Sequence, residues 1–168
     1  MPLKKYKKSF ESYLKLERAL SSNSISAYLY DFDLLNHFLA KETKVKSLHS
    51  ITLEHLKQFV HWINDQDYSA FSQARVISGT KAFFKFLLIE DIITTSPADL
   101  IEAPKLARKL PDVLDIEEIN TLIAAIDLSK PEGTRNKAII ETLYSCGLRV
   151  SELVNLKLTN IFLTDGFI

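Results

Sequence analysis

Three prolines, Pro97, Pro104 and Pro111, fall within fifteen residues and divide this chain. Proline lacks a backbone donor and fixes φ, so no continuous helix can run through that stretch. Before it, apolar residues recur with helical period up to about residue 90. After it, shorter helical patterns lead to a turn signal at Asp165-Gly166. The spacing predicts a helical domain over 1–102, a linker over 103–113 and the first part of a second domain over 114–168. The linker carries Lys105-Leu106-Ala107-Arg108-Lys109.

Four helices are expected in the first domain. Leu3–Leu20 places Tyr6, Phe10, Tyr13, Leu14 and Leu16 on an apolar side. Ser21-Ser22-Asn23-Ser24 is rich in N-cap residues and should start the second helix. Its stripe is Ile25, Tyr28, Phe32, Leu35, Phe38 and Leu39. Thr52 can cap a third helix to about Asp65, with Leu53, Leu56, Val60 and Ile63 inward. A fourth runs from about Ser69 to Glu90 over Val76, Thr80, Phe83, Phe84, Leu87 and Leu88. Gly79 lies in its middle, where glycine costs about 1 kcal/mol against alanine, and close packing on another helix is a reason to have it there.

In the second domain, Asp115 with Glu118 three residues later forms a capping-box pattern, followed by a helix to about Ile126. The next helix should begin near Gly133–Thr134 and stop at Gly147. A short helix is expected around Val150–Leu156. Ile161–Ile168 reads as the approach to a strand. This domain is expected to be incomplete, ending inside its own first sheet.

Composition narrows the class. Four glycines and five prolines are too few for a collagen-like or low-complexity chain. The single cysteine, Cys146, excludes an internal disulfide and a cysteine zinc cluster and suits a reducing compartment. No apolar run approaches the roughly 20 residues a bilayer needs. The basic start leads into an amphipathic segment and not into a signal core, so a cytoplasmic protein is expected. Net charge is zero but unevenly spread. Residues 1–110 hold 16 Lys and Arg against 12 Asp and Glu, and 111–168 hold 5 against 9. An anionic partner, if there is one, belongs to the first part.

One segment carries chemistry: Tyr144-Ser145-Cys146-Gly147-Leu148-Arg149-Val150-Ser151-Glu152-Leu153. An arginine just after a helix-ending glycine lies at the start of the next helix, where backbone N–H groups favour a phosphate. Its planar fork fits phosphate oxygens bidentately. Glu152, three residues on, can hold the guanidinium. A surface Arg–Glu pair is the simpler account of the segment taken alone.

Gly147-Leu148-Arg149-Val150-Ser151-Glu152-Leu153 closely resembles the catalytic-arginine box of the tyrosine recombinases, the phage-integrase family. Thr134-Arg135-Asn136-Lys137-Ala138 with Leu143-Tyr144 resembles the helix leading into that box, although the family usually has aspartate at the place of Asn136. Pro104–Pro111 resembles the connector between the family's two domains. Ser22-Asn23-Ser24, Tyr28 and Asp31 resemble the second helix of the core-binding domain. Ser72, Arg75 and Phe83-Phe84 resemble its fourth. The order and spacing agree with the Xer subfamily, which resolves chromosome dimers at cell division.

The resemblance implies a mainly α chain: a four-helix, SAM-like core-binding domain, then the first helices of a truncated mixed α/β catalytic domain. It implies strand cleavage and rejoining on double-stranded DNA through a 3′-phosphotyrosyl link, without cofactor or metal. Arg149 would bind the scissile phosphate, and Glu152 would position it. The family's lysine hairpin, His-x-x-Arg motif and nucleophilic tyrosine are not found in this sequence. After Arg149 the only basic residue is Lys157, and the last tyrosine is Tyr144. The chain is therefore expected to bind DNA without cleaving it.

Asn23, Ser24, Arg75, Lys81, Lys85, Lys105 and Arg108 are the candidate DNA contacts. Capping by Asn23 or Ser24 and solvated helix faces for the lysines are the plainer accounts of the same residues. His55 and His61 are six apart, unsuited to one metal on one helical face, and no metal is assigned. Cys146 is expected to be buried and reduced, and Trp62 with Phe59 to belong to a core or an interface and not to a base-stacking platform. The full-length enzyme is expected to work as a homo- or heterotetramer on paired sites, away from any membrane, whereas this chain alone can be monomeric. A stand-alone DNA-binding or regulatory module, and a helical protein-interaction module, are the competing classes.

Overall fold

The computed structural model describes residues 3–43, 45–107, 110–162, 164 and 166. The chain forms two compact units, Met1–Arg108 and Lys109–Ile168. The described residues are mainly helical.

In the first unit, a 3₁₀ turn at Lys4–Tyr6 leads into α1 (Lys7–Ser12), which continues as a π-helical turn, Tyr13–Glu17. The single helix expected over Leu3–Leu20 is thus three short pieces. The widened turn buries Tyr13 and Leu14 side by side and swings Leu16, expected inward, out to solvent. The backbone then closes on itself: the Leu20 N–H donates to the Leu14 carbonyl, with Ala19 left-handed at φ +46°.

Helix α2 (Ser22–Lys41) is capped by Ser21, whose hydroxyl accepts from the Ser24 N–H. Helix α3 (Leu53–Asp65) is capped by Thr52. Its third residue, His55, reciprocates: the Thr52 N–H donates to His55 Nδ1 at 3.2 Å. Replacing Thr52 by alanine removes this reciprocal cap and should cost about 1 kcal/mol in urea unfolding. An unchanged midpoint would show that the helix start is held by packing alone.

Helix α4 (Ala70–Ile89) starts at the Ser69 cap and packs most extensively on α2. The expected stripe is buried save Leu88, which is half-buried, and Ile77 and Phe86 are buried as well. Neighbours surround α4 on most sides, so its apolar surface is a band and not a stripe. Its centre is a cluster of rings. Phe83 meets Phe32 at 4.9 Å and Phe10 at 5.3 Å, both nearly edge-on, and Phe84 at 5.6 Å. Edge-to-face pairing suits the ring quadrupoles. Phe38, Phe59 and Trp62 form a second cluster between α2 and α3, with Phe59 buried and Trp62 half-buried.

Gly79 explains the closeness of α2 and α4. A Cβ there would lie 2.5 Å from Asp31 Oδ2 and 2.7 Å from Asp31 Cβ. The glycine leaves room for a carboxylate sealed between two helices.

In the second unit, α5 (Ile116–Ala124) carries the expected capping box. The Glu118 N–H donates to Asp115 Oδ1 at 2.8 Å, and the Asp115 N–H donates to Glu118 Oε2 at 2.9 Å. Helix α6 (Pro131–Cys146) begins earlier than Gly133, because Pro131 is pre-set for the first helical position. Gly133 lies inside the first turn instead, where a Cβ would run into the Asp127 carbonyl. Helix α7 (Val150–Val154) is followed by a 3₁₀ turn at Leu158–Asn160. Of the expected strand approach, Leu163, Asp165, Phe167 and Ile168 lie outside the described residues, and Phe162 makes an isolated bridge.

Candidate nucleic-acid interface and catalytic arginine

Helix α6 stops at Gly147, which adopts φ +64° and ψ 25° and donates its N–H to the Leu143 carbonyl. Only glycine takes this left-handed cap without steric cost. Leu148 leads to Arg149, whose extended backbone makes it the N-cap of α7. Glu152 grips Arg149 at both ends. Its Oε2 accepts the Arg149 backbone N–H at 2.7 Å, and its Oε1 accepts from Nη1 at 2.9 Å. The Arg149 backbone N–H first, and then its guanidinium, hold the Glu152 carboxyl below the usual carboxylate range. The Arg149 side chain is nonetheless 83% exposed, so its fork is presented outward. With five residues, α7 contributes little dipole, and the positive charge at this place is the arginine's own.

Two neighbours differ from expectation or from the family pattern. Cys146 is exposed and not buried, because α6 ends there and nothing covers its last residue. Asn136, which stands where the resemblance leads one to expect aspartate, accepts from Arg135 Nη2 at 3.1 Å and Nε at 3.3 Å.

In the first unit, the Ser21 cap puts Asn23 and Ser24 in the first turn of α2. Asn23 is exposed. Ser24 is half-buried, its hydroxyl 3.0 Å from that of Ser21. Arg75, Lys81 and Lys85 make different contacts. Arg75 turns to α2 and donates from Nη1 to Asp31 Oδ1 at 2.6 Å. Its guanidinium lies 5.9 Å from the centre of the Tyr30 ring. The Tyr30 hydroxyl is in turn 3.1 Å from that of Tyr68. Lys81 reaches the Asp99 carbonyl at 3.5 Å, in the segment after α4. Lys85 and Lys105 are exposed, and Arg108 lies outside the described residues. A recess of about 160 Å³ opens beside the Asp31–Arg75 pair, lined also by Ser24, Ala27, Tyr28 and Ser78. The structure therefore joins Ser24 and Arg75 at one recess and leaves the lysines elsewhere.

Asp31 is the residue that sequence reasoning passes over as a site. It is 2% exposed and lies among the buried residues of α2. The available signal is a carboxylate within an apolar stripe, between Tyr28 and Phe32, which needs a cationic partner. The partner lies 44 residues away, which no spacing rule supplies. Burial pushes the Asp31 carboxyl up from 3.8 to about 6, against the pull of Arg75. Because the folded value is raised, this group's contribution to stability is fully present below 3.8 and is lost as pH rises through about 6. Asp31→Asn should flatten that dependence. Between pH 4.5 and 7.5 the variant should gain on the wild type by about 2 kcal/mol in urea unfolding. Parallel stability curves for the two proteins would remove the ionised buried carboxylate from the account.

Among the described residues, no three His, Cys, Asp or Glu side chains gather as a metal site, and no helix is long and apolar enough to cross a membrane. Residues 8–91 match the family model described as phage integrase, N-terminal SAM-like domain. The chain belongs to the phage integrase family of tyrosine recombinases. Residues 112–168 match the phage integrase family model itself, so both units carry the family pattern in its order. Tyrosine recombinase XerD of Staphylococcus saprophyticus is 40% identical over 161 residues, 94% of this chain and 54% of that protein. XerD of Chlorobaculum tepidum is 41% identical over 172 residues, covering 99% and 55%. XerD of Staphylococcus aureus is 35% identical, covering 93% and 52%. The crystal structure of XerA recombinase aligns at a TM-score of 0.47 and 28% identity, over 96% of this chain and 52% of that one. The chain spans about half the length of the curated relatives it matches.

Proposed function

We propose that this chain is the DNA-binding part and first catalytic segment of a site-specific tyrosine recombinase. The observation that carries this reading is the outward fork of Arg149, which Glu152 holds through Nη1 while also accepting the Arg149 backbone N–H, within a segment of the recombinase family. A fork held in this way suits a phosphate whose charge rises during displacement. In the whole protein Arg149 would bind the scissile phosphate. A tyrosine oxygen supplied by the rest of the protein would attack the phosphorus, and the 5′-hydroxyl would leave. The 3′-phosphotyrosyl bond conserves the phosphodiester's energy, so rejoining needs no nucleotide.

The helical unit would lie on the duplex, with Asn23, Ser24, Arg75, Lys81 and Lys85 toward it. Lys105 and Arg108 would follow the backbone along a 103–113 linker. The likeness to XerD proteins supports a cytoplasmic role in chromosome-dimer resolution, as a homo- or heterotetramer on paired sites. The 168-residue chain carries no tyrosine after Arg149 and would bind without cutting.

Gel shift of this chain on recombination-site duplex tests the reading. Lysine and arginine contacts release counterions, so affinity should drop about a hundredfold between about 50 and 200 mM salt. No retarded complex at the lower salt, on duplex or four-way junction, would reject DNA binding. A protein–DNA adduct that survives denaturation would reject the inactive assignment.

A further inference from the structure

We propose that Asp31 is a positioning residue that presets Arg75 to read a guanine in the target duplex. This rests on the DNA-binding reading above and adds which side chain reads sequence and what holds it. A carboxylate that is 2% exposed is costly to desolvate, and a buried ion pair is often no more stable than an apolar replacement. Gly79 is nonetheless the residue that leaves space for it. The arrangement fixes a fork. Asp31 Oδ1 holds Nη1 at 2.6 Å, the Tyr30 ring lies 5.9 Å from the guanidinium, and the Tyr68 hydroxyl meets that of Tyr30 at 3.1 Å. The arginine side chain still keeps 44% of its surface exposed. Beside it, small residues of the two helices, Ser24, Ala27 and Ser78, leave the open recess.

Charge decides between phosphate and base. Asp31 is sealed against Arg75 at 2% exposure, unlike the solvent-screened Glu152 beside Arg149 at 47%, so this neutral pair is a weak anchor for a phosphate and releases few counterions. The hydrogen-bonding directions of the fork survive neutralisation. They suit neutral acceptors spaced like guanine O6 and N7, the commonest specific arginine contact in a major groove. Holding the side chain beforehand also spares the rotamer freedom that a loose arginine loses on binding. Lys85, exposed, and Lys81, on a carbonyl, have no carboxylate partner among the described residues and suit the phosphates instead.

The test selects bound duplexes from a library with randomised positions, using the 168-residue chain and its Asp31→Asn, Arg75→Ala and Lys85→Ala variants. Wild type should enrich one G·C pair that Arg75→Ala and Asp31→Asn both lose, with discrimination falling about tenfold. Asp31→Asn leaves Arg75 an uncompensated cation, so its binding to unselected DNA should hold or rise while the preference disappears. A merely structural Asp31 would lower all binding together and leave the preference intact. Lys85→Ala should reduce the salt slope by about one and keep the preference. Retention of the guanine by Asp31→Asn, or a salt slope reduced by Arg75→Ala, overturns the proposal. If wild type retains no duplex at low salt, the DNA-binding reading falls and this inference with it. If wild type binds but selects no guanine, only the inference falls. A measurement on the wild type alone guards against a variant that fails to fold. Restricted rotation should give Arg75 resolved Nη signals in ¹⁵N spectra, and a single averaged signal overturns the holding.

Discussion

Phe83→Ala should destabilise the helical unit by about 3–5 kcal/mol in urea unfolding. Phe83 is fully buried and touches four other rings, those of Phe10, Phe32, Phe84 and Phe86. These come from α1, α2 and α4 itself. Phe10 and Phe32 are also 6.2 Å from each other, and Phe86 closes on Tyr13 at 5.3 Å. A network tied at that many points cannot collapse into the hole, so the cavity cost adds to the lost burial. A unit of this size has about 5–15 kcal/mol in all, and the variant should sit near its unfolding threshold at 37 °C. Phe83→Leu refills most of the volume and should recover at least half the loss. A loss below about 1.5 kcal/mol for alanine would mean that the ring cluster is not the centre of the fold.

The helices are legible in the sequence because caps and periodicity are local. Thr52, Ser69 and Asp115 start helices where their side chains reach N–H groups three residues on. Gly147 ends one where only a left-handed residue fits. Sequence and structure part where tertiary packing sets the local geometry. The π-helical turn after α1 lets Tyr13 and Leu14 both turn inward, and no periodicity announces such an insertion. Phe86 falls outside the periodic stripe yet is buried, because α4 is enclosed on more than one side. In the second unit the described residues bury only Ile119 and Gly133, so apolar positions such as Val150 and Val154 remain in solvent despite their character.

The candidate site divides along the same line. Arg149 and Glu152 are three residues apart, and their contact follows from helix geometry. Arg75 and Asp31 are 44 apart, and only the docking of α2 against α4 joins them. Sequence places Arg75 with the lysines of α4 among the candidate DNA contacts, singled out only by its resemblance to the family's fourth helix. The structure makes it half of a neutral pair, and that changes what it can recognise. The local traces of the pairing are Asp31 itself, a carboxylate within an apolar stripe, and Gly79, which signals close packing without naming its occupant.

The largest effect on chemistry is expected at Arg149. In a protein that joins this segment to the remaining catalytic groups, Arg149→Ala should slow strand cleavage by about 10²–10³-fold. Site binding should change little, because one cation among several phosphate contacts is lost. Arg149→Lys keeps the charge but not the fork and should recover only part of the rate. Glu152→Gln separates holding from charge. A glutamine oxygen can still accept one of the two Arg149 hydrogen bonds, so its loss should be smaller, about tenfold. Suicide substrates that trap the covalent intermediate read cleavage directly, and gel shift on the same duplex reads binding. Undiminished trapping by Arg149→Ala would remove it from the scissile phosphate. A matched loss of binding and cleavage would make it a docking contact, because a group that stabilises charge developing during displacement must affect the rate more than the affinity.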